Sequence, residues 1–203
     1  MITFLLGVLA YFLGAIPFSY ILVKLFYKLD ITELGSGNAG ALNSYEVTGN
    51  RLIGLLVMIL DLLKGYSIIF FYFLFPNINN LLVMSFWVVM GHNYSIFLKF
   101  KGGRGLATTA GVMIAINPFF LILWLLMWVT GYYVIKKNVH IANTIATLGA
   151  VIMAFSSPEA IFKIFDYNNI AHYTEIKFLL IAIAIIIINK HIKPLKELFI
   201  KNG

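Results

Sequence analysis

Cysteine is absent from these 203 residues. Disulfides, thiol nucleophiles and thiolate metal sites are thereby excluded. Acidic residues are scarce, 8 against 15 Lys and Arg, so only 11% of the chain is charged and the formal net charge is +7. The four histidines, His92, His140, His172 and His191, lie far apart and form no HExxH pair. No basic n-region or small-residue cleavage site precedes the first charge at Lys24, so the opening apolar run reads as a retained helix. A soluble domain needs far more polar surface than this. What fills the chain instead is 61% hydrophobic residues, with a mean hydropathy of +0.93. Several apolar runs reach the ~20 residues of a spanning helix. The class is a small polytopic membrane protein, in which basic charge reflects topology more often than nucleic-acid binding.

Apolar runs are expected to span the membrane at about Ile2–Leu25, Leu52–Phe75, Leu81–Phe97, Leu106–Ile116, Pro118–Ile135, Val139–Phe155 and Phe178–Ile188. Polar loops are expected over Val23–Arg51 and Ser156–Lys177, a tight turn at Pro76–Asn80, and a basic, mildly amphipathic tail from Asn189 to Gly203. Leu106–Ile116 is short, about 17 Å as a helix, and is either re-entrant or a brief full span. Charge favours the span. With seven crossings and the N-terminus outside, the inner ends hold Lys24, Lys28, Arg51, Lys99, Lys101, Arg104, Lys136, Lys137, Lys190, Lys193, Lys196 and Lys201. A re-entrant segment would move Lys136, Lys137 and the tail to the other side and largely erase the positive-inside bias. The expected fold is therefore all-α and integral to the membrane: seven transmembrane helices, C-terminus cytoplasmic, one embedded domain over residues 1–203.

Two glycine-rich stretches then fall on the same side. The first, Gly35-Ser-Gly-Asn-Ala-Gly-Ala-Leu-Asn43, alternates small residues with Ser36, Asn38 and Asn43. Its glycines permit left-handed backbone, and its polar side chains either donate to a phosphate or hold the loop's own backbone. The second, Lys99-Phe-Lys-Gly-Gly-Arg-Gly105, places Gly102, Gly103 and Gly105 around the cations Lys101 and Arg104. A positive-inside anchor needs the cations but not three glycines; exposed amides beside fixed positive charge suit a phosphate. Asp61 and Lys64 are three apart in an apolar helix, so they share a face and can pair. Intramembrane ionisable groups mark function by default, although a structural pair serves equally well. His92 and Asn93, just before the basic turn, read as a hydrogen-bonding clasp. His191 either orients a hydroxyl or sits in a solvated tail.

With both loops in view, the chain resembles the bacterial acyl-phosphate:glycerol-3-phosphate acyltransferase family, the PlsY type, over nearly its whole length. The resemblance is carried by Gly35–Asn43, by Asp61-Leu-Leu-Lys-Gly65, and by Gly91-His-Asn with Phe100-Lys-Gly-Gly-Arg-Gly-Leu-Ala-Thr108. It implies a cofactor-free and metal-free enzyme that moves a fatty acyl group from acyl phosphate to the 1-hydroxyl of glycerol 3-phosphate, giving lysophosphatidic acid for phospholipid synthesis. By that resemblance Ser36, Arg104 and His191 are catalytic. Gly35, Gly37, Asn38, Asn43, His92, Asn93, Lys101, Gly102, Gly103, Gly105 and His140 would bind substrate. The expected partners are the two substrates and membrane lipid, with no nucleic acid; the location is the bacterial cytoplasmic membrane, with the site on its inner side. Departures from the family pattern are Glu46 for an arginine, Leu42 for threonine, Arg104 for lysine, His140 and Asn143 for serines, and Pro194 for asparagine. An alternative reading keeps the fold and a phosphate or phospholipid pocket without that acyl transfer, or with another acceptor. A channel or transporter has only the Asp61–Lys64 pair behind it.

Overall fold

The structure, a computed structural model, describes residues 1–170 and 172–201. Its helices are α1 (Ile2–Ala15), α2 (Phe18–Tyr27), α3 (Ala41–Thr48), α4 (Arg51–Tyr66), α5 (Ile68–Leu74), α6 (Ile78–Asn93), α7 (Leu106–Ile116), α8 (Pro118–Thr130), α9 (Val139–Ser156), α10 (Glu159–Ile164) and α11 (Tyr173–Lys201). Among the described residues, six helical segments are long and apolar enough to cross a membrane: Ile2–Tyr27, Arg51–Leu74, Ile78–Leu98, Pro118–Ile135, Val139–Ser156 and Tyr173–Leu198. The 11-residue α7 falls short of that length.

Several expected boundaries move, each for a local reason. The first span breaks at Ile16-Pro17, because proline supplies no N–H to continue the ladder. The second breaks at Ser67, whose Oγ donates to the Lys64 carbonyl at 2.8 Å. The stretch read as a polar loop before Arg51 contains α3, which is flanked by Gly40 at its start and closed by a left-handed Gly49. The Asn50 side chain then caps α4 by accepting from the Leu52 amide at 2.9 Å. The loop read over Ser156–Lys177 contains α10 and the start of α11. The tail expected from Asn189 is helical as far as Lys201, continuous with α11 through Pro194; Asn202 and Gly203 lie outside the described residues.

The chain forms two compact units, Met1–Ala115 and Ile116–Gly203. In the first, α1 and α6 pack backbone to backbone. A Cβ at Gly14 would fall on the Val88 carbonyl, and one at Gly91 on the Tyr11 carbonyl. In lipid, where apolar contact supplies little drive, such close approach is what holds helices together. Gly91→Val is therefore expected to force α1 and α6 apart at a cost of about 1–3 kcal/mol, read as a lowered unfolding temperature in detergent. The same device joins α4 to α7, through Gly65 against Thr108 and Gly111 against Leu62. A small apolar cluster of Val23, Ile31, Ile53 and Val57 anchors α2 and the first loop to α4.

In the second unit, Asn117 starts α8 by accepting from the Phe119 amide at 3.1 Å, while its Nδ2 donates to the Phe162 carbonyl at 2.8 Å. Phe162 is fully buried against Phe119, Phe120 and Tyr173, with the Lys177 ammonium 4.9 Å above its ring. α8 ends in a π-helical turn, Gly131–Ile135. Asn138 caps α9 by accepting from the His140 and Ile141 amides.

Candidate active site

In the first unit the two glycine-rich stretches, more than fifty residues apart in sequence, touch. A Cβ at Gly103 would fall between the His92 ring and the Ala39 carbonyl, so the first loop and the basic turn meet there. The Gly103 amide donates to the His92 carbonyl at 3.0 Å. A Cβ at Gly102 would fall on that same carbonyl. Only glycine fits this junction, which gives the glycine count its reason.

The backbone before the junction is unusual. Lys99 and Phe100 are both left-handed, at φ 51° and 63°, a conformation costing about 1–2 kcal/mol per residue without a glycine. Ser95 helps hold them: its carbonyl accepts from the Phe100 amide at 2.8 Å, and its buried Oγ donates to the Ala15 carbonyl at 2.6 Å. Strained backbone of this kind clusters at functional sites.

His92 is the hub. Its Nδ1 lies 3.4 Å from Asp61 Oδ1, which also accepts from Lys64 Nζ at 2.7 Å. Lys64 Nζ in turn donates to the Ile16 carbonyl at 3.0 Å and sits 5.4 Å from the Phe18 ring. All three side chains are buried. The expected Asp61–Lys64 pair is present, and the His92 clasp is its continuation. The break at Pro17 leaves carbonyls without helical donors; Ser95 and Lys64 supply them. A charged pair inside a membrane helix is thus tied at one end to a helix terminus and at the other to the glycine junction.

Asn93, also fully buried, has neither its Nδ2 nor its Oδ1 hydrogen-bonded among the described residues. A Cβ at Gly105, left-handed at φ 85°, would fall on its side-chain amide. The buried hydroxyls of Thr108 and Thr109, in the first turn of α7, are likewise unpartnered. That turn also presents main-chain N–H groups with no intrahelical acceptor. Orphaned buried polar atoms cost about 1–3 kcal/mol each. Asn93, set against Gly105 of the cationic glycine turn, offers an unsatisfied donor and acceptor suited to a polar, oxygen-rich ligand, with the Thr108 and Thr109 hydroxyls following in the adjoining helix turn. Lys101 is exposed and Arg104 half-buried.

In the first loop, Gly35 and Gly37 are left-handed, at φ 58° and 66°. The buried Asn43 accepts from the Ser36 amide at 2.9 Å and donates to the Ile31 and Leu34 carbonyls at 3.3 and 3.1 Å. Of the two roles its residue type allows, the structure shows Asn43 holding the loop. Ser36 is exposed and Asn38 half-buried. Glu46, on α3, is exposed and has no ion-pair partner among the described residues.

The second unit brings His140 and His191 together, with ring centroids 6.3 Å apart. His191 is fully buried, so it does not sit in a solvated tail. Its Nδ1 lies 2.8 Å from the Ile187 carbonyl and its Nε2 3.3 Å from Asn143 Nδ2. Asn143 Oδ1 accepts from the Trp128 indole at 2.8 Å. Sequence reasoning missed Trp128, because a tryptophan inside an unbroken apolar run carries no local signal. It also missed the Asp61–His92 contact, which joins helices about thirty residues apart.

Fold and loops together define a class: a multi-pass helical membrane protein with a glycine-rich cationic turn between a spanning helix and a short one. The sequence profile described as glycerol-3-phosphate acyltransferase matches residues 4–201. A glycerol-3-phosphate acyltransferase of Staphylococcus haemolyticus (strain JCSC1435) is 38% identical over 154 residues, covering 71% of this chain and 75% of the relative. One from Staphylococcus aureus (strain JH9) is 39% identical over 155 residues, with the same coverage of 71% and 75%. The crystal structure of PlsY, an integral membrane glycerol 3-phosphate acyltransferase, in its glycerol 3-phosphate form superposes with a TM-score of 0.80 at 29% identity, covering 99% of this chain and 94% of that one. Its lysophosphatidic acid form gives 0.79 at 30% identity, covering 99% and 93%. The chain belongs to the glycerol-3-phosphate acyltransferase family.

Proposed function

We propose that this protein transfers a fatty acyl group from acyl phosphate to glycerol 3-phosphate, releasing phosphate and lysophosphatidic acid. The observation that carries the reading is the junction at Gly103. There two glycine-rich loops meet beside Lys101 and Arg104, next to the unpartnered Asn93, Thr108 and Thr109. An acyl phosphate is a mixed anhydride with a good leaving group, so no enzyme nucleophile is needed. The acceptor hydroxyl attacks the carbonyl, the new ester bond forms as the bond to phosphate breaks, and the hydroxyl proton leaves with the products. The protein's task is to hold phosphate, stabilise developing charge and bring the hydroxyl close.

Arg104 and Lys101 supply the charge, with the amides of Gly102 and Gly105 beside the phosphate, the Gly103 amide being taken by the His92 carbonyl. Asn93 and His92 complete that wall. Ser36 and Asn38, on the loop shaped by Gly35, Gly37 and Asn43, serve the acceptor. In the second unit His191, with His140 beside it, offers a ring nitrogen to a substrate hydroxyl. The family match runs through both units, which supports a single working domain over 1–203. We take α7 as a short seventh crossing, with the N-terminus outside and both glycine-rich loops on the cytoplasmic face. That topology keeps most of the 15 Lys and Arg residues inside.

The test supplies palmitoyl phosphate and glycerol 3-phosphate to purified protein in detergent or lipid mesophase, following both products. Phosphate and lysophosphatidate in equal amounts are the expected result. Phosphate alone would mean a different acceptor, and neither product from folded protein would favour a lipid-binding role without transfer. Glu46 gives a second test, since a carboxylate near a phosphate-binding loop repels the acceptor. Glu46→Arg is expected to raise kcat/KM for glycerol 3-phosphate about tenfold, roughly the 1.4 kcal/mol of one improved charge contact. An unchanged value would place acceptor recognition elsewhere.

A further inference from the structure

The hydrogen bonds around His191 have a direction that one residue sets. An indole N–H only donates. Trp128 Nε1, 2.8 Å from Asn143 Oδ1, therefore fixes which end of that amide is oxygen. The NH₂ end is left facing His191 Nε2 at 3.3 Å, and a donor there makes Nε2 an acceptor. The proton of the ring then belongs on Nδ1, where the Ile187 carbonyl, 2.8 Å away, can only accept. The chain runs one way: Trp128 to Asn143 to His191 to the Ile187 carbonyl.

Two further contacts hold the relay in place. The Thr147 Oγ donates to the Asn143 carbonyl at 2.8 Å and accepts from Trp124 Nε1 at 3.2 Å. The Trp128 ring stacks on Tyr132 at 5.1 Å, next to the π-helical turn that begins at Gly131.

We propose that Trp128 is a positioning residue that acts through Asn143 to keep His191 in its Nδ1–H form, with the Nε2 lone pair presented as an acceptor. The Asn143–His191 bond, 3.3 Å, pairs an amide donor with a ring nitrogen, and a substrate hydroxyl aimed at the same lone pair takes the place of that donor. The other tautomer would offer that hydroxyl a hydrogen and no lone pair. The link from this tautomer to turnover rests on the acyltransferase reading above. The direction of the relay does not.

The test is nitrogen-15 NMR of histidine-labelled full-length protein in detergent, with the His191 ring assigned by its loss in His191→Gln. In the wild type, Nδ1 is expected to carry the proton and Nε2 to give an unprotonated signal. Observation of Nε2–H as the main form overturns the proposal. Trp128→Phe removes the donor while keeping the ring, and a second tautomer is expected to appear as the amide becomes able to turn over. Asn143→Ala, which removes the amide altogether, is expected to do the same and serves if Trp128→Phe does not fold. A His191 spectrum unchanged in a folded variant overturns the role of Trp128. With palmitoyl phosphate and glycerol 3-phosphate, kcat is expected to fall about tenfold in each variant with KM within about twofold. A changed spectrum with unchanged kcat overturns the positioning role. Because the spectra need no turnover, absence of acyltransfer in the wild type would count against the proposed function and leave the relay to be judged by NMR.

Discussion

Replacing Lys101 and Arg104 together with alanine is expected to lower phosphate release from palmitoyl phosphate by at least ~100-fold, the scale on which removing a preorganised charge-stabilising group acts. The two cations flank Gly102 and Gly103, both buried, in a turn whose backbone is held by the His92 and Ser95 carbonyls. The loss should therefore come without a matching loss of stability. A parallel thermal melt in detergent checks this, with less than a few degrees of change expected. Arg104→Lys restores the residue type common in the family and should retain activity within about tenfold, since charge survives while the planar fork is lost. If the double alanine variant keeps most of its turnover, the basic turn is only a topological anchor and the phosphate is held elsewhere.

Asp61→Asn should have the largest effect on stability. The substitution keeps the shape but leaves the Lys64 ammonium, buried and 2.7 Å from its carboxylate partner in the native chain, without an anion. Breaking one side of a buried pair costs about 3–5 kcal/mol, which for a chain of this length corresponds to roughly 10 °C or more in the unfolding midpoint. The damage should also spread, because the same carboxylate faces His92, whose carbonyl and ring hold Gly103. Activity is expected to fall with stability although Asp61 touches no reacting atom. Asp61→Leu combined with Lys64→Met should recover much of the stability, as replacing a whole buried pair by apolar groups often does. Recovery should stop short of complete, since the Ile16 carbonyl would still lack the donor that Lys64 provides. A single Asp61→Asn variant as stable as the parent would show that the pair contributes nothing net.

The class of protein was legible from composition, because lipid accepts only long apolar helices with internally satisfied backbone. Six of the expected spans correspond to helical segments of bilayer length, with ends shifted where a cap or proline acts locally. Leu106–Ile116 has the bounds read from the sequence. α3 was hidden, because eight residues of mixed polarity between glycines look the same as a loop until the chain packs them. The last helix was read too short, since its basic end resembles a solvated tail.

By itself the sequence determined the residue types at the site: glycines where the backbone must turn or come close, cations where phosphate is expected, and an acid and a base three apart on one helix. Those features are local, so spacing carries them. Only the tertiary structure decided which of them meet. It put Ala39, His92 and Gly103 at one junction, tied Asp61 to His92, left Asn93 without a partner beside Gly105, and buried His191 under Asn143 and Trp128. The physical reason is that these contacts join helices through close backbone approach and oriented hydrogen bonds. Their partners are distant in sequence, and nothing in a local pattern encodes which end of an amide faces which ring.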